Sequence, residues 1–203
     1  MNLRRRCLIA AAAGWTGFAR AAGSVDSREA ARSSHFPFGP VVPPRRVESW
    51  PMVTNHGKAT DLPALLRGRV SAAQLMFTGC SATCPLQGAL FSQAQGLLRG
   101  GLAAAQFVSI SVDPLGDTPA ALDEWLRKFG ARPGWIAVLP RAADLAAILN
   151  RLGEGGENPL SGPDSHAGQV YLFDRRAELV LRTPSLPPAE QIVAALRSVD
   201  ARG

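Results

Sequence analysis

Residues 71–77, SAAQLMF, form a largely apolar run that passes without a break into TGCSATCP and then PLQGALFSQAQGLL. A run of that length bounded by turn residues reads as a buried strand, and Leu86, Ala89, Leu90, Ala94 and Leu97 recur at helical spacing behind it. A strand feeding a helix through a short loop is the building unit of an α/β layered domain. This loop holds Cys80 and Cys84, with Pro85 directly after the second. Pro85 suits the first position of a helix, where its missing N–H costs nothing, and Gly100-Gly101 suits the end.

The same alternation continues along the chain. AQFVSISV (105–112) predicts a strand, and Thr118 and Pro119 predict the cap and first turn of a helix whose face is Leu122, Trp125, Leu126 and Phe129. WIAVL (135–139) predicts a third strand, and RAADLAAILNRLG a third helix. A Gly/Pro-rich loop leads to QVYLF (169–173) and ELVLR (178–182), which read as a hairpin, and PAEQIVAALRSV closes the chain as a helix. The expected architecture is therefore α/β, a central mixed sheet flanked by helices. A cysteine pair at a strand-to-helix turn and a terminal hairpin plus helix make it thioredoxin-like. The added helix–strand unit between 113 and 139 makes it an elaborated, peroxiredoxin-like version.

Upstream lie two segments of different character. Residues 1–21 combine RRR, an apolar stretch from Cys7 to Ala19, and Ala19-Arg20-Ala21, the layout of a secretory signal peptide. Thirteen apolar residues are short for a membrane span of about 20, although a retained anchor is the alternative. The arginine run admits Sec or twin-arginine export. Residues 22–46 form a Pro-rich leader expected to be extended and outside the core, and 47–203 form the domain. Of the six net positive charges, four come from arginines of the signal segment, so the domain is close to neutral. It has no basic stripe, which argues against nucleic-acid binding. The predicted location is the periplasm, free or anchored to the inner membrane. Cys7 goes with the signal, leaving Cys80 and Cys84 as the domain's cysteines in an oxidising compartment.

With Cys84 at the helix start, unpaired N–H groups and the helix dipole predict a lowered thiol pKa there. Two such sulfurs can close a disulfide, cycle as a redox pair, or grip one soft ion, and a histidine would extend the range from Cu(I) to Cu(II). His35, in the leader, and His56, in the turn Asn55-His56-Gly57, read as exposed. His166 stands just before the strand at 169–173, at a sheet edge where sites gather; spacing leaves it open between ligand and plain loop residue. Met52 and Met76 read as core, as do Trp125 and Trp135. Asp113 and Asp117 read as turn and cap residues, with support of the cysteine loop as the alternative.

Three blocks carry a resemblance. FTGCSATCP resembles the metal motif of the Sco/SenC family, ISVDPLGDTPAALDEWLRKFG is similar to its Asp-Pro segment, and DSHAGQVYLFD to its histidine segment, in the family's order. Ser81 stands where many relatives have proline, and Ser165 separates Asp164 from the histidine. The resemblance implies a copper metallochaperone that binds one copper, Cu(I) or Cu(II), through Cys80, Cys84 and His166. It would assist assembly of the dinuclear copper centre of cytochrome c oxidase. Its partners would be the copper-accepting oxidase subunit, with other periplasmic copper chaperones or thiol reductants. The alternative is a periplasmic thiol–disulfide oxidoreductase with Cys80 and Cys84 as the redox-active pair. The blandest reading is a static disulfide.

Overall fold

The computed structural model describes residues 37–98, 102, 105–153 and 168–202. The apolar run before the cysteine loop forms β4 (Val70–Met76), buried at all seven positions. It pairs in parallel with β5 (Ala105–Ser111), which pairs in parallel with β6 (Trp135–Pro140). On its other side lies the antiparallel hairpin β7 (Val170–Phe173) and β8 (Glu178–Arg182). The edges are β1 (Gly39–Arg46) beyond β8, and β2 (Pro51–Thr54) with β3 (Ala59–Asp61) beyond β6. The eight-stranded order is β1-β8-β7-β4-β5-β6-β2-β3.

Helices cover both faces. They are α1 (Leu62–Leu66), α2 (Thr83–Leu97), α3 (Pro119–Lys128), α4 (Leu145–Leu152) and α5 (Ala189–Asp200). On one face α2 packs beside α5, and α5 rests on β4 and β7 while α3 rests on β6. An aromatic cluster joins them: Phe91 of α2 lies edge-on to Phe107 at 5.1 Å and to Trp135 at 5.6 Å, and Trp135 meets Trp125 of α3 at 6.0 Å. Trp125, Trp135, Met52 and Met76 are core residues, as expected. On the opposite face Ala73, Tyr171 and Arg182 stand in register across β4, β7 and β8. Arg182 Nη1 donates to the carbonyl of Leu152 at the end of α4, 3.4 Å away. Gly153 caps that helix with φ +94°, and a Cβ there would strike the Arg182 guanidinium, so both backbone and space demand glycine.

Three expectations needed correction. Residues 39–46, assigned to the non-core leader, form β1, with Val41 buried, because β8 would otherwise present an open edge. Helix α2 starts at Thr83, so Pro85 is its third residue rather than its first. Its buried face is also different. Cys84, Gln87, Gly88, Phe91 and Ala94 face inward, while Leu86 and Leu97 are 55% and 46% exposed. Leucine spacing misled because the tightest contacts of this helix use small residues: a Cβ on Gly88 would lie 2.8 Å from the Phe129 ring.

The β7–β8 turn lacks a glycine, and Asp174 compensates by accepting from the backbone N–H of Arg176 and Glu178 at 3.0 and 2.9 Å. Ala177 is nonetheless left at φ 64°. Replacing Ala177 with glycine is expected to raise unfolding free energy by about 1 kcal/mol, the usual cost of a left-handed alanine, measured by urea denaturation. A lower midpoint would mean that the buried methyl outweighs the strain.

Candidate metal centre

The loop that carries the cysteines is held by groups distant in sequence. Beyond Met76 the backbone N–H and hydroxyl of Thr78 both donate to Oδ1 of Asp117, the N–H from 3.0 Å. The other carboxylate oxygen accepts from the Ser111 hydroxyl at 2.6 Å. Asp117 is buried, and Thr118, not Asp117, caps α3 by accepting from Ala121 N–H at 3.1 Å. The cap reading of Asp117 is thereby corrected: it bridges the β5–α3 loop to the cysteine loop. Asp113 keeps its turn role, accepting from Gly116 N–H at 3.0 Å.

At the start of α2 no side chain of the N-cap residue Ala82 is able to accept from the first turn. The sulfur of Cys80 fills that role, accepting from Cys84 N–H at 3.4 Å. The two thiols consequently diverge. Burial pushes Cys80 up, but the Cys84 thiol and the N–H groups of Cys84, Ala82 and Thr83 more than offset it, and its pKa lies below the ordinary thiol value. Cys84 is fully buried, and burial first, then the hydrogen bond to and repulsion by the Cys80 sulfur, hold its pKa up at about 12. The expectation of a lowered pKa at Cys84 is reversed, because the free N–H groups of the helix start converge on the residue before the helix, not on one inside it.

Neither residue is in a disulfide in the structure. Iodoacetamide at about pH 8 is therefore expected to modify Cys80 well before Cys84, by at least about tenfold in rate, since thiolate fraction and access both favour it. Peptide mapping after partial alkylation reads the order; equal rates would show that the helix-start environment does not discriminate.

His166 lies outside the described residues, as do His35 and Asp164. Among the described residues no group of three His, Cys, Asp or Glu is clustered for metal binding. Two sulfurs at one loop are the donors the described residues supply, a set that fits a soft ion such as Cu(I). His166 enters only through its position: Val170, four residues on, pairs with Gln74 of β4, three residues before Phe77. The chain before β7 thus leads to the same sheet end as the cysteine loop. His56 is exposed in its turn, 3.8 Å from Asp123, and away from the cysteines' end of β4.

For Asp117 the alternative sequence reading, support of the cysteine loop, is the one the structure bears out, although its partner Thr78 was not legible in the sequence. Sequence reasoning missed Gln87, which is 2% exposed, with neither its Oε1 nor its Nε2 hydrogen-bonded.

A family model described as SCO1/SenC matches residues 43–200. The chain belongs to the SCO1/SenC family. No curated protein matches it. Among solved structures it is similar to a SCO1/SenC family lipoprotein from Bacillus anthracis, at 23% identity and TM-score 0.64, covering 78% of this chain and 98% of that one. It is similar to BsSco, described as a member of the Sco family of cytochrome c oxidase assembly proteins with a disulfide switch, at 20% identity and TM-score 0.66, covering 77% and 94%. Yeast Sco1 with copper bound matches at 18% identity and TM-score 0.61, covering 76% and 92%. These likenesses establish the thioredoxin-like Sco fold expected from the strand–cysteine loop–helix order. For a Sco-family chain the match begins within β1, in agreement with the strand found upstream of residue 47.

Proposed function

We propose that this SCO1/SenC chain is a copper metallochaperone that holds one copper ion through Cys80, Cys84 and His166 and assists assembly of the dinuclear copper centre of cytochrome c oxidase. The observation that carries the proposal is the unequal cysteine pair at the start of α2. Cys80 is partly exposed and favours its thiolate, while Cys84 lies fully buried behind it. An ion held between such sulfurs is approached from the Cys80 side. An incoming thiolate of the copper-accepting subunit is of equal softness, so ligand exchange there is close to balanced. His166 supplies a harder nitrogen and so the capacity for Cu(II). Copper-bound yeast Sco1 supports the choice of ion.

The same pair supports a second reading, as a thiol–disulfide reductant, favoured by the disulfide switch described for BsSco. The Cys80 thiolate attacks a partner disulfide, forming a mixed disulfide and releasing one partner thiolate. Cys84 then loses its proton and attacks the Cys80 sulfur, releasing the second thiolate. Two electrons pass to the partner, and a Cys80–Cys84 disulfide remains for a periplasmic thiol reductant to reset.

Residues 1–21 are read as the export segment and 22–38 as a leader. Among the described residues no helix is long and apolar enough to cross a membrane. The leader reaches the sheet at Pro37, whose carbonyl accepts from Gln169 Nε2 at 3.3 Å, at the same end as the cysteine loop. A segment retained in the inner membrane would draw the cysteine end toward it; one solved relative is itself described as a lipoprotein.

The deciding experiment is anaerobic Cu(I) titration of the reduced chain against a chromophoric chelator, followed by Cu(II) addition. One Cu(I) per chain and an intense thiolate-to-copper band with Cu(II) are expected. A reduced chain that takes up no copper overturns the metallochaperone reading. Reduction of a partner disulfide without copper transfer would leave the reductant.

A further inference from the structure

At the end of the sheet away from the cysteine loop, the start of β5, the last turn of α2 and the connection from α3 to β6 border a cleft of about 450 Å³, within the size range of small-molecule sites. The length of β4, about 20 Å at the rise of a strand, separates it from the candidate metal centre. Leu98, Leu102 and Phe107 give the cleft apolar walls, and Arg69 and Arg132 give it two positive charges. Neither arginine has an ion pair among the described residues, and no carboxylate is among the residues that line the cleft. An adjoining cleft of about 430 Å³ shares Arg69, Pro133 and Gly134, adds Lys58, and is also lined without a carboxylate.

Arg132 is held in place through its backbone. Gln95 of α2 accepts from the Arg132 N–H at 2.9 Å and donates to the carbonyls of Arg132 and Pro133 at 3.0 and 3.3 Å. The guanidinium lies against the last turn of α2, where a Cβ on Gly96 would sit 3.7 Å from Nη2. The C-terminal end of the helix dipole favours a cation there, yet Nη1 is buried with no hydrogen-bond partner. A buried donor without an acceptor is costly, and native proteins retain such groups where a ligand or water completes them. Guanidinium N–H groups match the oxygens of carboxylates and phosphates. Two cations without counter-charges favour the doubly charged phosphate, and apolar walls favour an organic ester over the bare ion. We propose that this cleft binds a phosphate monoester with an apolar organic group, the phosphate held by Arg132 and Arg69 and the organic group packed on Leu98, Leu102 and Phe107. The proposal is independent of the copper-binding reading above.

The test uses the full-length chain with phenyl phosphate as the probe, titrated by calorimetry at constant ionic strength. Saturable binding at one site is expected, with inorganic phosphate at least about tenfold weaker because it leaves the apolar walls unused. Arg132→Gln is expected to lower the affinity for phenyl phosphate by about tenfold or more, the share of a charge-assisted hydrogen bond. Arg69→Gln, at an exposed position where folding is not at stake, is expected to lower it about three- to fivefold. Arg197→Gln makes the same change of charge on the exposed face of α5 and should leave the affinity unchanged. Flotation with phosphatidylcholine vesicles containing phosphatidic acid separates the two sources of such an ester. Flotation that depends on Arg132 assigns a lipid headgroup; its absence, with phenyl phosphate still bound, assigns a soluble ester. No saturable binding of phenyl phosphate, equal affinity for inorganic phosphate, or an Arg69→Gln affinity equal to the parent's would overturn the proposal. Equal losses in Arg132→Gln and Arg197→Gln would overturn it too, showing a general attraction to positive charge and leaving Nη1 of Arg132 to a buried water.

Discussion

Serine in place of Cys80 or Cys84 is expected to lower Cu(I) affinity by at least about a thousandfold, near 4 kcal/mol, and to eliminate the thiolate-to-Cu(II) band or reduce it to a weak remnant. The magnitude follows from the donor count. The described residues bring two sulfurs and no other clustered ligand to this loop, so removing one leaves a single thiolate. The two variants should differ in their secondary effects. Cys80→Ser removes the sulfur that accepts from the helix start, whereas Cys84→Ser places a small hydroxyl in a fully buried position. Histidine removal should behave differently: His166→Ala is expected to weaken Cu(II) by at least about tenfold and Cu(I) less, since thiolates suffice for the softer ion. Competition titrations in each oxidation state measure all three variants. Cu(II) binding by His166→Ala that equals the parent would remove His166 from the ligand set.

Asp117→Ala is expected to destabilise the whole domain by about 2–4 kcal/mol, because one change strands several donors at a buried position. Thr78 N–H, Thr78 hydroxyl and Ser111 hydroxyl all end on that carboxylate. The functional consequence is larger than the stability figure implies. Thr78 is the tie between the end of β4 and Cys80, so its release should let the cysteine loop depart from the start of α2. Faster alkylation of Cys84 in Asp117→Ala, under conditions where the domain remains folded, is the distinguishing readout. Asp113→Ala serves as the comparison: its carboxylate closes the turn to Gly116 and should cost about 1 kcal/mol or less, without exposing Cys84. Equal effects of the two substitutions would deny Asp117 its bridging role.

How far these readings were legible beforehand differs by residue. The elements of the sheet interior were plain, because β4, β5 and β6 are buried on both sides and their apolar runs admit no other placement. Thr118 was legible as a cap, since Thr-Pro at a helix start acts through its immediate neighbours. By contrast, β1 carries Pro43 and Pro44 and looks like linker; only β8 across from it makes it a strand. The inward face of α2 was misread for a similar reason. Its leucines mark a stripe, but Phe129 and the aromatic cluster decide which residues can come close, and they select Gly88, Cys84 and Gln87.

The amino-acid order alone determined the α/β layering, the cysteine loop at the end of the first central strand and the choice of sulfur as the chemistry, because strand burial, helix capping and ligand type are local properties of residues and spacing. Which cysteine favours its thiolate, that Asp117 grips Thr78 and not its own helix, and that Gln87 is buried on the inward face of α2 were settled only by tertiary packing. Charge stabilisation and desolvation depend on groups far apart in the chain, and those meet only when the helix is laid on the sheet.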